Sequence, residues 1–451
     1  MAFQDPRGVP SGSGSAAARD AVDQALWRIM CFYDTPLADL DAAMAADDGW
    51  AMPPLMKAGF LLSLTEPALV PEAAAQLALA RDRLHALSPP RERAHVEAVG
   101  AVLEGRWAQA GRIWDSLLLE HPCDALALQW AHLWDFYRGD AAHLRARPAR
   151  ALPEWDADDR LYPAVLGLYA FGLEENHEYA AAEDAGRQAV MADPRTPWAV
   201  HAVAHVMEMQ GRFDDGAAWL RQQQPHWAEG NGFAVHLWWH KALFRLEAMD
   251  VAGVLRLVDN HLCGDALQVT LNRVDAAAVL WRLHLLGADV SERCRALVQG
   301  WALDPAQAGH YAFNDLHVVL ALLGAGDVAG AEHWVARCAE RALVAEDVRR
   351  DNHGMAREAG LPLMRGLLAL ARGDADAAVD AMYPARQIAQ RLGGSHAQRD
   401  LIDQTLLAAA ARGQRAGPGR ALLNERRMAK PTTPLTRHWM AQLGDAEEAR
   451  A

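Results

Sequence analysis

Nine turn-forming positions punctuate the chain at near-regular intervals, and this spacing is the strongest constraint on its fold. Gly105 in "EGRW", Gly139 in "RGD", Asn176 in "ENHEY", Gly211 in "QGRF", Met249 in "AMD", Gly287 in "LGAD", Gly326 in "GAGD", Gly373 in "RGD" and Gly413 in "RGQ" lie 34, 37, 35, 38, 38, 39, 47 and 40 residues apart. Each ends one apolar helical stretch and precedes another, such as "WAQAGRIWDSLLLEH" or "AGAEHWVARCAERAL". Glycine at a helix C-terminus takes a positive φ without steric cost. An Asp just after it caps the next helix. A helical pair of this length cannot bury its apolar face alone, so successive pairs must stack.

Alternating β-branched runs of strand length are absent. The fold class is therefore all-α, an α-solenoid of stacked helical hairpins. Most of the gaps match tetratricopeptide-like units, and the 47-residue gap implies an insertion. Residues 1–18, "MAFQDPRGVPSGSGSAAA", read as a flexible tail. Residues 19–451 read as one helical-repeat domain with irregular end caps at 19–90 and 425–451. Pro431 and Pro434 break one helix before a short last one. "GAGDVAG" (Gly324 to Gly330) fits the letters of a dinucleotide fingerprint, but a helical run precedes it where a strand is required.

The net charge of −14 makes the chain a poor binder of phosphate backbones, and no basic run suggests a local exception. No nucleic-acid partner is expected. The five cysteines are widely spaced, with no CxxC, which fits a reducing cytoplasm better than a disulfide framework. The first residues lack the apolar core of a signal peptide. No stretch approaches the ~18 apolar residues of a membrane span, so no membrane partner is expected. Nothing in the sequence sets the oligomeric state.

Polar residues recur at set distances ahead of the turns. His201 and His205 stand 10 and 6 residues before Gly211, and His236 and His240 stand 13 and 9 before Met249. Asp275 is 12 before Gly287, and Asn314 and His317 are 12 and 9 before Gly326. Arg399, Asp400 and Asp403 precede Gly413 by 14, 13 and 10. Spacings of three, four and seven share one helix face. These groups therefore fall on one stripe of the first helix in successive pairs, the helix that lines the concave wall of such stacks. With 19 histidines, about one HxxxH pair arises by chance, and two occur. Core histidines that bond a neighbouring helix are the plain alternative to a ligand site. No cofactor is demanded by the sequence. A divalent metal held by His201, His205, His236 and His240 is the sharpest reading of the pairs. Ala202 and Leu237 occupy the place where a zincin carries its Glu, so that general base is missing.

"AVHAVAHVMEMQGR", "HLWWHKALFRLE", "FNDLHVVLALLGAGD", "AREAGLPL" and "LGGSHAQRDLIDQTLL" together resemble the tetratricopeptide repeat protein 38 family. "RERAHVEAV", "EHPCDALALQWAH" and "LYAFGLEENHEYAAAE" fit as well, and the likeness runs from about residue 20 to about residue 440. The resemblance implies the repeat fold. It also implies polar positions at His95, His132, His201, His205, His236, His240, Asn314, Asp315, His317, Arg357, Gln398, Arg399 and Asp400. His396 departs from the pattern, which has Asn in "GGSNAQRD". The family brings no settled chemistry. The expected function is binding of a small molecule or peptide in a His-rich concave cavity. The alternative is an enzyme in the same cavity. His205, His240 or His317 would then act as acid–base groups or metal ligands, Arg357 or Arg399 would hold an anion, and Asp275 or Asp400 would orient an imidazole.

Overall fold

A computed structural model describes residues 3–301, 303–344 and 349–450, with side chains as far as Gly444. Met1, Ala2 and Ala451, at the ends of the expected tail and cap, lie outside the described residues. The order begins with β1 (Phe3–Gln4) and β2 (Pro10–Ser11), then α1 (Ala16–Cys31), α2 (Leu37–Ala46), α3 (Met52–Ser63), α4 (Val70–Arg83), α5 (Pro90–Leu103), α6 (Trp107–Glu120), α7 (Ala125–Arg138), α8 (Ala141–Ala151), α9 (Tyr162–Glu174) and α10 (Tyr179–Ala192). It continues with α11 (Pro197–Met209), α12 (Phe213–Gln223), α13 (Ala234–Glu247), α14 (Val251–His261), α15 (Thr270–Leu285), α16 (Ser291–Trp301), α17 (Ala312–Gly324) and α18 (Val328–Ala342). It ends with α19 (Asp351–Met355), α20 (Leu361–Ala371), α21 (Ala375–Arg386), α22 (His396–Arg412), α23 (Ala416–Ala429) and α24 (Pro434–Arg450). The fold is a tetratricopeptide-like helical repeat, and among the described residues the strands form one short hairpin.

The turns follow backbone chemistry. Gly105, Gly139, Gly211, Gly287, Gly326 and Gly373 take φ values from 70° to 85°. Met249 adopts the same left-handed conformation, φ 59°, without glycine's freedom. Two positions differ from the sequence reading. His177 (φ 63°), one residue after Asn176, makes the left-handed turn. Gly413 is extended at φ −104°. Asp140, Asp250, Asp327 and Asp374 follow their turns and accept a backbone N–H three residues on, from His143, Gly253, Gly330 and Ala377. These bonds satisfy donors that a helix start leaves open.

Burial separates the two helices of a pair. All residues of α17 are buried, whereas α18 buries Ala331, Trp334, Val335, Cys338 and Ala342, one stripe at helical spacing. The insertion expected in the 47-residue gap is seen at α19, which continues through the π-helical turn Ala356–Gly360 into α20. Residues 345–348 of that gap lie outside the described residues.

The chain divides into two compact units. Unit one comprises Met1–Val203, Gln223–Ala234 and Arg349–Asp351. Unit two comprises Ala204–Gln222, Val235–Val348 and Asn352–Ala451. Repeats touch mainly their neighbours, so such a division leaves no mark in composition.

Unit one pairs α1 with α2, α3 with α4, α5 with α6 and α9 with α10. Its N-terminal segment is built into the fold, contrary to the flexible tail expected. The Asp5 carboxylate accepts the backbone N–H groups of Arg7 and Val9. The Arg7 guanidinium pairs with Asp5, Asp23 and Asp159. Gly12 N–H donates to Glu92 at 2.7 Å, and Ser13 is fully buried against Asp47.

In unit two, α15 packs on α17, and α17 on α20. Helix α22 then returns onto α15. Trp281 Nε1 donates to Thr405 Oγ1 at 2.9 Å, and Arg282 Nη2 donates to the Ala397 carbonyl at 2.7 Å. The polar stripe of α15 is therefore covered by the chain's own helix. The last helix is longer than the short one expected: α24 starts at Pro434 and also packs on α22.

Candidate functional site

Helix α13 places His236 and His240 one turn apart, and α11 does the same for His201 and His205. Within unit two, His205, His236 and His240 bring ligand nitrogens within 4.8 Å of one another. Ring planes meet at steep angles. His205 and His240 are 4.6 Å apart at 62°, and His236 and His240 are 4.8 Å apart at 88°. His205 and His240 are fully buried, and the His236 side chain keeps 14% exposure.

Two carboxylates orient this group. Asp275 Oδ2, on α15, lies 2.7 Å from His236 Nδ1. Glu208 Oε2, three residues beyond His205, lies 3.0 Å from His240 Nδ1. A carboxylate only accepts, so Asp275 fixes the proton on Nδ1 of His236 and leaves the lone pair on Nε2. Burial pushes Glu208 up to about 8 against the pull of Lys430. Burial, with the charges of His205, His236 and Arg282, holds His240 well below its ordinary value. At neutral pH the His240 imidazole is uncharged.

A second polar layer adjoins it. Glu247 receives both Arg426 Nη2 (2.6 and 2.8 Å) and Lys430 Nζ (3.0 Å). Arg426 also reaches Asp400 at 3.3 Å, and Gln404 donates to the other Asp400 oxygen. Burial opposes ionisation of Asp400, but Lys430, Arg426 and Arg282 hold it at about 2. Arg282 is fully buried, lies over the Trp239 ring, and is drawn below its ordinary value by desolvation.

The remaining sequence candidates fall elsewhere in the packing. The His201 ring meets Phe171, Trp198 and Phe233 in unit one. His317 Nδ1 donates to the Phe313 carbonyl at 2.7 Å, and burial lowers the ring to about 4. Asn314 is buried on α17. Asp315 accepts from Trp334 Nε1 and Gly309 N–H, and burial raises it to about 6. Arg399 Nη1 donates to the Gly394 carbonyl. Arg357 is half-exposed beside Glu358. Gln398 closes a capping box with Ser395 at the start of α22. Asp400 orients Arg426 and not an imidazole, and Asp403 pairs with Arg386. In unit one, His95 meets Asp124 and Trp114, and His132 meets Phe171 and Trp198.

Sequence reasoning missed Glu208, Glu247, Arg282, Arg426 and Lys430. Glu208 was readable. In "HVMEMQG" it stands three residues after His205, on the same helix face. The others bond across large sequence separations, which spacing does not report.

No family model matches the chain. Among solved structures it is similar to a human IFIT1 dimer with m7Gppp-AAAA, at 15% identity over 97% of this chain and 96% of that one, with a TM-score of 0.45. It is also similar to yeast Tom70, at 9% identity over 91% of this chain and 90% of that one, with a TM-score of 0.38.

Proposed function

We propose that the protein is a ligand-binding helical-repeat protein whose functional centre is the histidine group of unit two, and that the ligand is a small species engaging imidazole lone pairs. One observation carries this reading: three imidazoles from two helices converge, two of them oriented by carboxylates. The cover that α22 places over α15 supports a small ligand rather than an extended peptide. His236 is the exposed member, so entry is assigned to its edge. The test is thermal unfolding of metal-stripped protein against a metabolite panel. At least one compound should raise the melting temperature of the wild type, as binding to the native state requires, and not that of His236→Gln. If every stabilising compound acts equally on the variant, the reading fails.

A second reading has its own support. The buried Asp275 carboxylate on a partly exposed His236 is the arrangement of a general base. An enzyme of this kind would lose roughly 100-fold or more of its turnover in His236→Gln while still binding substrate. Unchanged turnover in that variant counts against it.

We also place the chain in the tetratricopeptide repeat protein 38 family, supported by the order and spacing of the matching segments. A reducing cytoplasmic setting is supported by five cysteines that stand as free thiols, and cell fractionation tests it. The net charge of −14 argues against a nucleic-acid partner, and a filter-binding assay at low salt checks that. Among the described residues no helix is long and apolar enough to cross a membrane.

A further inference from the structure

The ligand's chemical class can be taken further, resting on the reading of the histidine group as the functional centre. We propose that His205, His236 and His240 hold one divalent transition-metal ion of the zinc class, with a water molecule completing its coordination.

The donor set is the first argument. Imidazole nitrogens suit zinc and its neighbours, whereas calcium and magnesium require oxygen. The HxxxH pair of α13 puts both rings on one helix face, and neighbouring rings meet edge to face rather than stacking flat. Ligand nitrogens already lie within 4.8 Å of one another. A tetrahedral site with metal–nitrogen bonds near 2.0–2.1 Å needs them about 3.4 Å apart, so closure takes side-chain rotations of roughly 1–1.5 Å.

The surroundings are the second argument. Metal-bound histidines characteristically give their other N–H to a carboxylate, which fixes the ring and strengthens it as a ligand. His236 has Asp275 at 2.7 Å and His240 has Glu208 at 3.0 Å, both through Nδ1. Both carboxylates are buried. Neutral imidazoles leave a divalent ion its full charge, and the Asp275 carboxylate places negative charge beside it. The other Asp275 oxygen, Oδ1, is buried with no hydrogen-bond partner among the described residues. It is available to a water molecule on the ion. Core histidines serving only to join helices account for a single histidine–carboxylate pair. They give no reason for three converging rings with two carboxylates behind them.

The experiment strips the full chain with a chelator, then titrates zinc by calorimetry and records the spectrum with cobalt(II). Wild type should take up one zinc per chain and give the d–d absorption of tetrahedral cobalt. Asp275→Asn, which keeps the shape, should weaken zinc binding roughly 10–100-fold, and His236→Gln at least as much. Circular dichroism of both metal-free variants should match wild type. His236 is chosen because its exposure makes loss of folding less of a risk than at buried His240. Folded wild type that takes up no zinc, or zinc affinity unchanged in both variants, would overturn the proposal. A metabolite that stabilises metal-stripped wild type but not His236→Gln, with zinc unbound, removes the metal and leaves the binding centre standing. Zinc bound with the stated variant dependence, and no metabolite effect, leaves the metal site standing alone.

Discussion

Replacing Glu247 with Gln tests how unit two is held together. Its carboxylate is 5% exposed and accepts from Arg426 (7%) and Lys430 (3%) at 2.6–3.0 Å. Gln keeps the size and removes the charge, so two buried cations lose their shared partner. Breaking a buried ion pair from one side costs about 3–5 kcal/mol, because the remaining charge stays desolvated. Arg426 retains Asp400 at 3.3 Å, which places the expected loss toward the lower end. For a unit of this size, about 3–5 kcal/mol corresponds to a fall in melting temperature of roughly 6–20 °C. Urea unfolding followed by tryptophan fluorescence and circular dichroism measures it. Adding Lys430→Met should recover part of the loss, since it removes one orphaned cation. A loss under about 1 kcal/mol, or a second substitution that adds a full further penalty, would refute the buried network as described.

Acid should act through Asp400, which is held at about 2 against an ordinary value near 3.8. Its ionised form contributes about 2–3 kcal/mol that is complete above the unfolded-state value and lost as pH falls through the folded-state value. Asp400→Asn should therefore be less stable at pH 7, with the gap to wild type closing toward pH 2. A pH-independent gap in urea midpoints contradicts the assignment. Two glycines should respond with opposite signs. Gly287→Ala, at φ 83° with no atom crowding the added carbon, should cost about 1–2 kcal/mol from backbone strain alone. Gly444→Ala, inside α24 with equally open surroundings, should gain about 0.5–1 kcal/mol. Equal effects at the two sites would refute the turn assignment.

Local chemistry carries the legible part of this fold. A glycine at each helix end followed by a capping Asp reports its own conformation, so the turns at Gly139, Gly326 and Gly373 can be read from three letters. Met249 was placed by spacing alone and adopts φ 59°. Asn176 and His177 compete for one turn, and residue type favours the wrong one, since Asn tolerates the left-handed region better. The N-terminal hairpin was hidden because its Gly- and Ser-rich letters match a disordered tail, while its order comes from Arg7, Glu92 and Asp47 far apart in sequence. The return of α22 onto α15 was equally hidden. A helix buried on most sides, with Gln398, Gln404 and Thr405 among its buried residues, has no apolar stripe to announce its partner. At the site, helical periodicity brings His236 and His240 to one face. That Asp275 reaches His236 and that Asp400 turns to Arg426 is decided by tertiary packing.

The orientation of His236 tests the central claim most directly. Long-range nitrogen–proton correlation spectra of the metal-stripped protein, assigned by comparison with His236→Gln, report which ring nitrogen carries the proton. The account predicts a single tautomer with the proton on Nδ1, given to Asp275, and the lone pair on Nε2. In Asp275→Asn that preference should weaken. A wild-type ring protonated on Nε2, or one averaging between tautomers, would contradict the carboxylate-oriented histidine centre.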